Sequence, residues 1–278
     1  MSAERLPTVF LPHGGGPWPF VDMGGMLSSE EIASLRTFLA DFPRSLPARP
    51  KALLVISAHW EARRPTVSTS KAPPMFYDYG GFPPESYRLR WPAPGDPHLA
   101  RRVRSLLEER GFASAEDDRR GFDHGTFIPL MVAWPQADIP TVQLSLRDDF
   151  DPAAHLEMGR ALAPLRDEGV LIVGSGMTFH DLRSLGTLGA YQASVRFDAW
   201  LQETMAAPAP ERDRRLAAWA SAPSAREAHP RAEHFLPLLV AAGAASGDDA
   251  RPTYHRVWGG AWTSGFEFGE ALHAKVAA

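Results

Sequence analysis

The sequence predicts an α/β protein, a layered sheet built as one domain over residues 1–278. Three observations predict it. Short apolar runs of four to six residues alternate with longer amphipathic stretches, the pattern of strands interleaved with helices. No stretch has the composition of a linker, and no internal repeat or low-complexity tail is present. Finally, 278 residues with 44% apolar and 22% charged side chains are enough for one large core, burying roughly 70–75% of the unfolded surface. That excludes disorder as the main state.

The first strand is Thr8-Val9-Phe10-Leu11, ended by Pro12 and a glycine cluster. Ser28 or Ser29 caps a helix to about Asp41, with Glu30 and Glu31 favourable in its first turn. Ala52-Leu53-Leu54-Val55-Ile56 is continuously apolar, as a strand buried on both faces must be. Residues 65–94 are rich in Pro, Gly, Tyr and Phe without helical period; we expect a long ordered loop with one strand, and such loops are often functional. Asp96-Pro97 opens a helix that ends at Gly111, and Asp151-Pro152 opens another that runs past Leu165 to Gly169. Residues 127–134 form an apolar helix between these two. Residues 141–146 and 170–173 are further strands, residues 190–206 and 211–220 further helices, and His229-Pro230 opens the last helix.

Composition removes several function classes. The net charge of −4 leaves no electrostatic footprint for nucleic acid, and no basic block suggests a membrane anchor. The absence of cysteine removes disulfides, thiolate metal sites and cysteine nucleophiles. No run of 18 apolar residues could span a bilayer. The N-terminus reads as no signal peptide, so a cytoplasmic location is expected. Proline is about 9% of the chain (26 residues) against a usual ~5%, consistent with ordered loops. With ten histidines and no cysteine, imidazole is the obvious metal ligand.

Three apolar strands lead into histidines: His13, His59 in Ala58-His59-Trp60-Glu61, and His180 beyond Gly174-Ser175-Gly176. Ligands of open α/β sheets bind outside the carboxyl ends of strands, and glycines allow close backbone approach there. His234 lies in the entry to the last helix, where Glu233 is about 100° away around a helix, so only one of the two should point inward. His124 lies in Gly121-Phe122-Asp123-His124-Gly125, before an apolar helix. His98, His155 and His273 read as solvated, and His229 as lining the helix entry. His255 falls in a strand.

Several familiar motifs do not apply. Gly14-Gly15-Gly16 lacks the Lys-Ser/Thr of a phosphate loop, and Val173 stands where a nucleophile elbow needs glycine. No His-Glu-x-x-His helix exists. Neutral imidazoles suit zinc, iron and copper. Three of them on an octahedral ferrous ion leave room for the two oxygens of a catecholate and for dioxygen. A histidine off the metal can take a phenol proton.

The chain resembles the DOPA 4,5-dioxygenase-like members of the class III extradiol ring-cleavage dioxygenases. The resemblance rests on Phe10-Leu11-Pro12-His13-Gly14, Val55-Ile56-Ser57-Ala58-His59-Trp60 and Tyr77-Asp78-Tyr79-Gly80-Gly81-Phe82-Pro83. It continues through Tyr87, Trp91-Pro92-Ala93-Pro94-Gly95-Asp96-Pro97 and Gly121-Phe122-Asp123-His124-Gly125. Pro140-Thr141-Val142-Gln143-Leu144-Ser145, the run from Gly174 to Leu182, and Glu233-His234-Phe235-Leu236-Pro237-Leu238 complete it.

The resemblance implies a central mostly parallel or mixed β-sheet flanked by helices on both faces. It implies His13, His59 and His234 as metal ligands, His180 as catalytic base beside the metal, and His124 as acid or substrate-binding histidine. The metal implied is Fe(II), with Zn(II) able to replace it in purified protein. The activity implied is cleavage of a small catechol by dioxygen beside its diol, giving a ring-opened semialdehyde. Tyr77, Tyr79, Phe82, Tyr87 and Trp91 are candidates for an aromatic wall over the substrate, or else only pack the long loop. Gly14-Gly15-Gly16 departs from the family's Gly-Ser/Ala-Pro, and Met177-Thr178 matches loosely, which bears on substrate choice more than on metal binding. The second reading is a zinc-dependent hydrolase on the same scaffold, and the third a binding protein, which would have no use for a spare base. The expected partners are a catechol and dioxygen, with no nucleic acid or membrane, in a monomer or small homo-oligomer.

Overall fold

The computed structural model describes residues 5–269. Its strands are β1 (Thr8–Pro12), β2 (Ala52–Ala62), β3 (Thr66–Ser68), β4 (Ala115–Asp117), β5 (Thr141–Arg147), β6 (Val170–Gly176), β7 (Ala250–Trp258) and β8 (Ala261–Phe268). Its helices are α1 (Ser29–Asp41), α2 (Pro97–Glu109), α3 (His124–Ala133), α4 (Pro152–Leu162), α5 (Leu188–Ala206), α6 (Ala209–Ala217), α7 (Ala225–Ala228) and α8 (Leu236–Ala244). The strands form one sheet in the order β4-β3-β5-β2-β6-β1-β8-β7. The four central strands, β5, β2, β6 and β1, are parallel to one another. Antiparallel pairings of β3 with β5 and of β8 with β1 and β7 make the whole mixed.

The continuous apolar run of β2 follows from this layering. Leu53 and Val55 pack into a core with Leu35 and Leu39 of α1 and Ile128 of α3. Leu54 and Ile56, on the opposite face, join Val103 of α2, Leu156 of α4, Phe197 of α5 and Leu239 of α8. A strand with helices on both faces has no solvent side to keep polar.

Helix starts follow the capping residues. Ser28 and Glu31 form a reciprocal capping box on α1. Asp96 and Asp151 accept from the first turns of α2 and α4, each followed by proline. The end of α4 is Leu162, followed by a 3₁₀ turn over Ala163–Arg166. The expected second helix near 211–220 is α6 plus a 3₁₀ turn at Trp219–Ser221.

Two expectations need correction. The helix expected from His229-Pro230 begins only at Leu236. Pro237 lacks an N–H, so it suits a first turn but would break a helix already seven residues long. His155 is not solvated; it is buried. Its Nδ1 donates to Asp151 O at 2.7 Å and its Nε2 accepts from Arg147 N at 3.1 Å, which ties α4 to the end of β5. His98 is exposed as expected, and His273 lies outside the described residues.

The loop over residues 65–94 contains β3 and a 3₁₀ turn, Pro84–Arg88. The β7–β8 hairpin was legible only as the strand around His255. Its turn is Gly259-Gly260, both at positive φ, as a two-residue hairpin requires. Among the described residues, no helix is long and apolar enough to cross a membrane.

Candidate active site

The adjacent strands β1, β6 and β2 deliver their carboxyl ends to one place. His13 follows β1, and its backbone N donates to Gly176 O at 3.3 Å. His59 sits within β2, where the pairing with β5 slips between Ile56 and Glu61. His234 comes from the turn before α8, and two glycines of β6 make room for that turn. A Cβ on Gly174 would stand 2.3 Å from Pro237 O, and one on Gly176 would stand 2.2 Å from His234 O. With glycine there, Met177 N donates to His234 O at 3.1 Å. Gly125 does the same for α3, since a Cβ would stand 2.7 Å from Ser57 Oγ and 2.8 Å from the His59 ring.

His13, His59 and His234 converge. The Nε2 of His59 is 3.2 Å from the Nε2 of His13 and 3.2 Å from that of His234. Nitrogens about 2.0–2.1 Å from a shared ion, at angles between octahedral and tetrahedral, lie about 2.8–3.4 Å apart. Ligand atoms of all three fall within 4.8 Å of one another.

The far sides of the rings decide which nitrogens carry protons. The Ser175 hydroxyl donates to Gly125 O, so its lone pair accepts from His13 Nδ1 at 3.1 Å. His234 Nδ1 donates to Glu233 Oε1 at 3.0 Å, and His59 Nδ1 faces Asp78 Oδ2 at 3.4 Å. Each Nε2 is therefore left with its lone pair toward the other two. Burial first, then neighbouring imidazoles, hold all three histidines well below the usual pKa of 6.5. Neutral imidazoles with facing lone pairs are a donor set that fits a divalent cation. A hydrogen-bonded partner behind each ligand is the usual means of orienting it.

The other two candidates flank this cluster. The His180 ring stacks on that of His234, with centroids 3.2 Å apart and planes 13° apart. Its Nδ1 is 3.5 Å from Glu233 Oε1, and its side chain is 20% exposed. His124, the first residue of α3 rather than a loop residue, lies with its ring 4.0 Å from that of His59. Its Nδ1 donates to Asp78 Oδ1 at 2.9 Å.

Two carboxylates escaped sequence reasoning. Burial opposes ionisation of both Asp78 and Glu233, but hydrogen bonds and charge from their histidines hold both below the usual carboxylate range. Glu233 was set aside because adjacent residues diverge on a helix. Residues 233 and 234 are in a turn, so both reach the site. The signal for Asp78 was a lone carboxylate among the tyrosines of its loop.

The aromatic residues divide. The Tyr77 hydroxyl donates to Leu89 O at 2.8 Å and that of Tyr79 to Ser86 O at 2.7 Å, so both serve their own loop. Tyr79 borders the histidines, its ring 5.9 Å from that of His124. Tyr87 packs behind it at 5.5 Å. Trp91 is fully buried, and its Nε1 donates to Trp134 O at 2.8 Å, so it belongs to the core. Phe82 stands against Gly16, where a Cβ would be 2.8 Å from its ring; Gly14 faces Trp18 at 2.6 Å in the same way. Both glycines have positive φ, so their aromatic neighbours and backbone conformation account for glycine at positions 14 and 16.

Comparison with known proteins agrees with this geometry. The family described as "Catalytic LigB subunit of aromatic ring-opening dioxygenase" matches residues 7–266. The chain is similar to a "4,5-DOPA dioxygenase extradiol" of Beta vulgaris, 39% identical over 93% of this chain and 94% of that protein. It is 37% identical to a protein of the same description from Escherichia coli K12, over 90% and 89% of the two chains. "Dioxygenase tasH" of Hapsidospora irregularis is 39% identical over 86% and 78%. The crystal structure of an uncharacterized Escherichia coli K12 protein superposes with a TM-score of 0.75 at 31% identity, covering 95% of this chain and 100% of that one.

Proposed function

We propose, given that the chain belongs to the family of catalytic LigB subunits of aromatic ring-opening dioxygenases, within its DOPA 4,5-dioxygenase-like extradiol members, that it cleaves the ring of a small DOPA-like catechol with dioxygen. Both oxygen atoms enter the product, a ring-opened semialdehyde. The observation that carries this reading is the convergence of three imidazoles on one point, with the Nε2 of His59 3.2 Å from those of both His13 and His234. Ser175 and Glu233 hold the outer nitrogens of His13 and His234, and Asp78 faces that of His59, which leaves the inner ones for a cation.

His13, His59 and His234 would hold Fe(II), and Zn(II) suits the same donors. When bound, ferrous iron supplies the redox chemistry that joins a catecholate to dioxygen. The protein's own residues handle protons and position. His180, partly open to solvent and stacked on a ligand ring, takes a phenol proton from the catechol, and Glu233 beside its Nδ1 stabilises the resulting imidazolium. His124 exchanges a proton with the reacting ring from the other side of the cluster. Tyr79, supported by Tyr77 and Tyr87, offers an aromatic face beside His124.

The test is to load metal-free protein with Fe(II) without oxygen, add a catechol panel that includes DOPA, and admit dioxygen. A yellow ring-opened product whose new carboxylate carries one labelled atom from ¹⁸O₂ is expected, the aldehyde oxygen being exchangeable with water. No product from any catechol would refute the proposal, and ester or amide hydrolysis with Zn(II) but not Fe(II) would reassign the site to a hydrolase.

A further inference from the structure

We infer that Asp78 is a positioning residue whose single carboxylate holds one ligand imidazole and one reaction imidazole, so that the centre is assembled only when the aromatic loop is seated. Asp78 lies between Tyr77 and Tyr79 on the long loop, whereas His59 comes from β2 and His124 from α3. Its Oδ1 accepts from both the backbone N and the Nδ1 of His124, each at 2.9 Å. Its Oδ2 is buried without a hydrogen-bond partner, and His59 Nδ1 stands 3.4 Å away. A buried carboxylate oxygen lacking a partner is costly, and His59 Nδ1 is the imidazole nitrogen that faces this one.

Two consequences follow for the chemistry. His59 is held with Nε2 bare toward His13 and His234. Asp78 fixes the Nδ1–H of His124, so that its Nε2 is the nitrogen turned to the reaction for proton exchange, by the logic of aspartate–histidine pairs. The loop is anchored independently of these contacts, by Phe76 N donating to Phe122 O at 2.7 Å and Phe122 N donating to Pro74 O at 2.8 Å, and it is braced internally by the Tyr77 and Tyr79 hydroxyls. Loss of the carboxylate therefore need not unfold it.

The inference rests on the metal reading of the three histidines, but one arm of its test does not. In metal-free protein labelled with ¹⁵N-histidine, long-range ¹H–¹⁵N spectra should show His124 as the single Nδ1–H tautomer, and a tautomer mixture in Asp78→Ala. In full-length Asp78→Asn, Zn(II) affinity measured by chelator competition should weaken about 10–100-fold, the usual effect of removing a partner behind a ligand. With Fe(II), kcat for the best catechol should fall while KM stays within about 3-fold. An Nε2–H tautomer of His124 in the wild type overturns the inference. So does an unchanged Zn(II) affinity in Asp78→Asn, or a variant that loses only thermal stability. If the wild type turns over no catechol, the function proposal fails, while the tautomer and zinc measurements still decide the role of Asp78.

Discussion

His229 is buried among Phe197, Trp219 and Phe235. Its Nε2 donates to Thr178 O at 3.0 Å, two residues before His180, while its Nδ1 has no partner. Burial first, then the neighbouring His180, depress its pKa to about 3. The unfolded chain has an ordinary histidine near 6.5. Between those values the unfolded state binds a proton that the native state refuses, so this contribution is complete above about pH 6.5 and is lost as pH falls toward 3. The loss is up to about 1.4 kcal/mol per pH unit. Urea midpoints of metal-free protein should therefore drop from pH 7 to pH 4. The other buried histidines act in the same direction, so His229 is isolated by difference: His229→Gln should show a shallower slope, and an identical slope would refute its share. At the site itself, His180→Phe should retain metal in elemental analysis but lose turnover by about 10²-fold or more. Near-normal turnover would remove its proton-transfer role.

At the scale of elements, β6 is the most constrained strand, because its last residues must be small enough for a turn to lie on them. Gly176→Ala places a methyl within 2.2 Å of His234 O, a collision with backbone that only movement of the α8 entry can relieve. Overpacking of this kind costs about 1–3 kcal/mol, and His234, the proposed ligand on that turn, moves with it. Denaturant unfolding should register the stability loss, and chelator competition should register weakened metal binding. A variant with wild-type metal affinity would show that the turn is set elsewhere. The strands β1, β2, β5 and β6 were legible because strands covered on both faces carry apolar residues without alternation. The start of α8 was not, because an apolar run spanning 235–240 looks the same whether its first residues are turn or helix; Pro237 was the discriminating signal. The β7–β8 hairpin was half legible, its strands being mixed in burial and its Gly259-Gly260 turn the better signal.

Across the whole molecule, the site is made by strand order. Sequence shows which strands run into histidines, but not that β2, β6 and β1 are neighbours. Adjacency of those three strands gathers His59, His180 and His13, and contact of α8 with β6 adds His234. The separation of ligands from reaction histidines came from family resemblance, since five imidazoles are chemically alike until their partners are known. The 3.2 Å spacings among the Nε2 atoms of His59, His13 and His234 single out three of the five, whereas Asp78 and Glu233 each face one of these three and one of the other two, and a carboxylate's partner across the fold leaves no mark in its own neighbourhood of sequence. Because His13, His59 and His234, the proposed ligands, belong to segments far apart in the chain, a bound ion should stabilise the fold as a unit. At a free metal concentration 100 times Kd, linkage gives about 2.7 kcal/mol, or roughly 5 °C in melting temperature for a chain of this size. Zn(II), which does not cycle with oxygen, is the suitable probe. Alanine at His13, His59 or His234 should each remove most of that shift, whereas His98→Ala, on the exposed start of α2, should keep it. A shift that survives all three ligand substitutions would place the ion elsewhere in the protein.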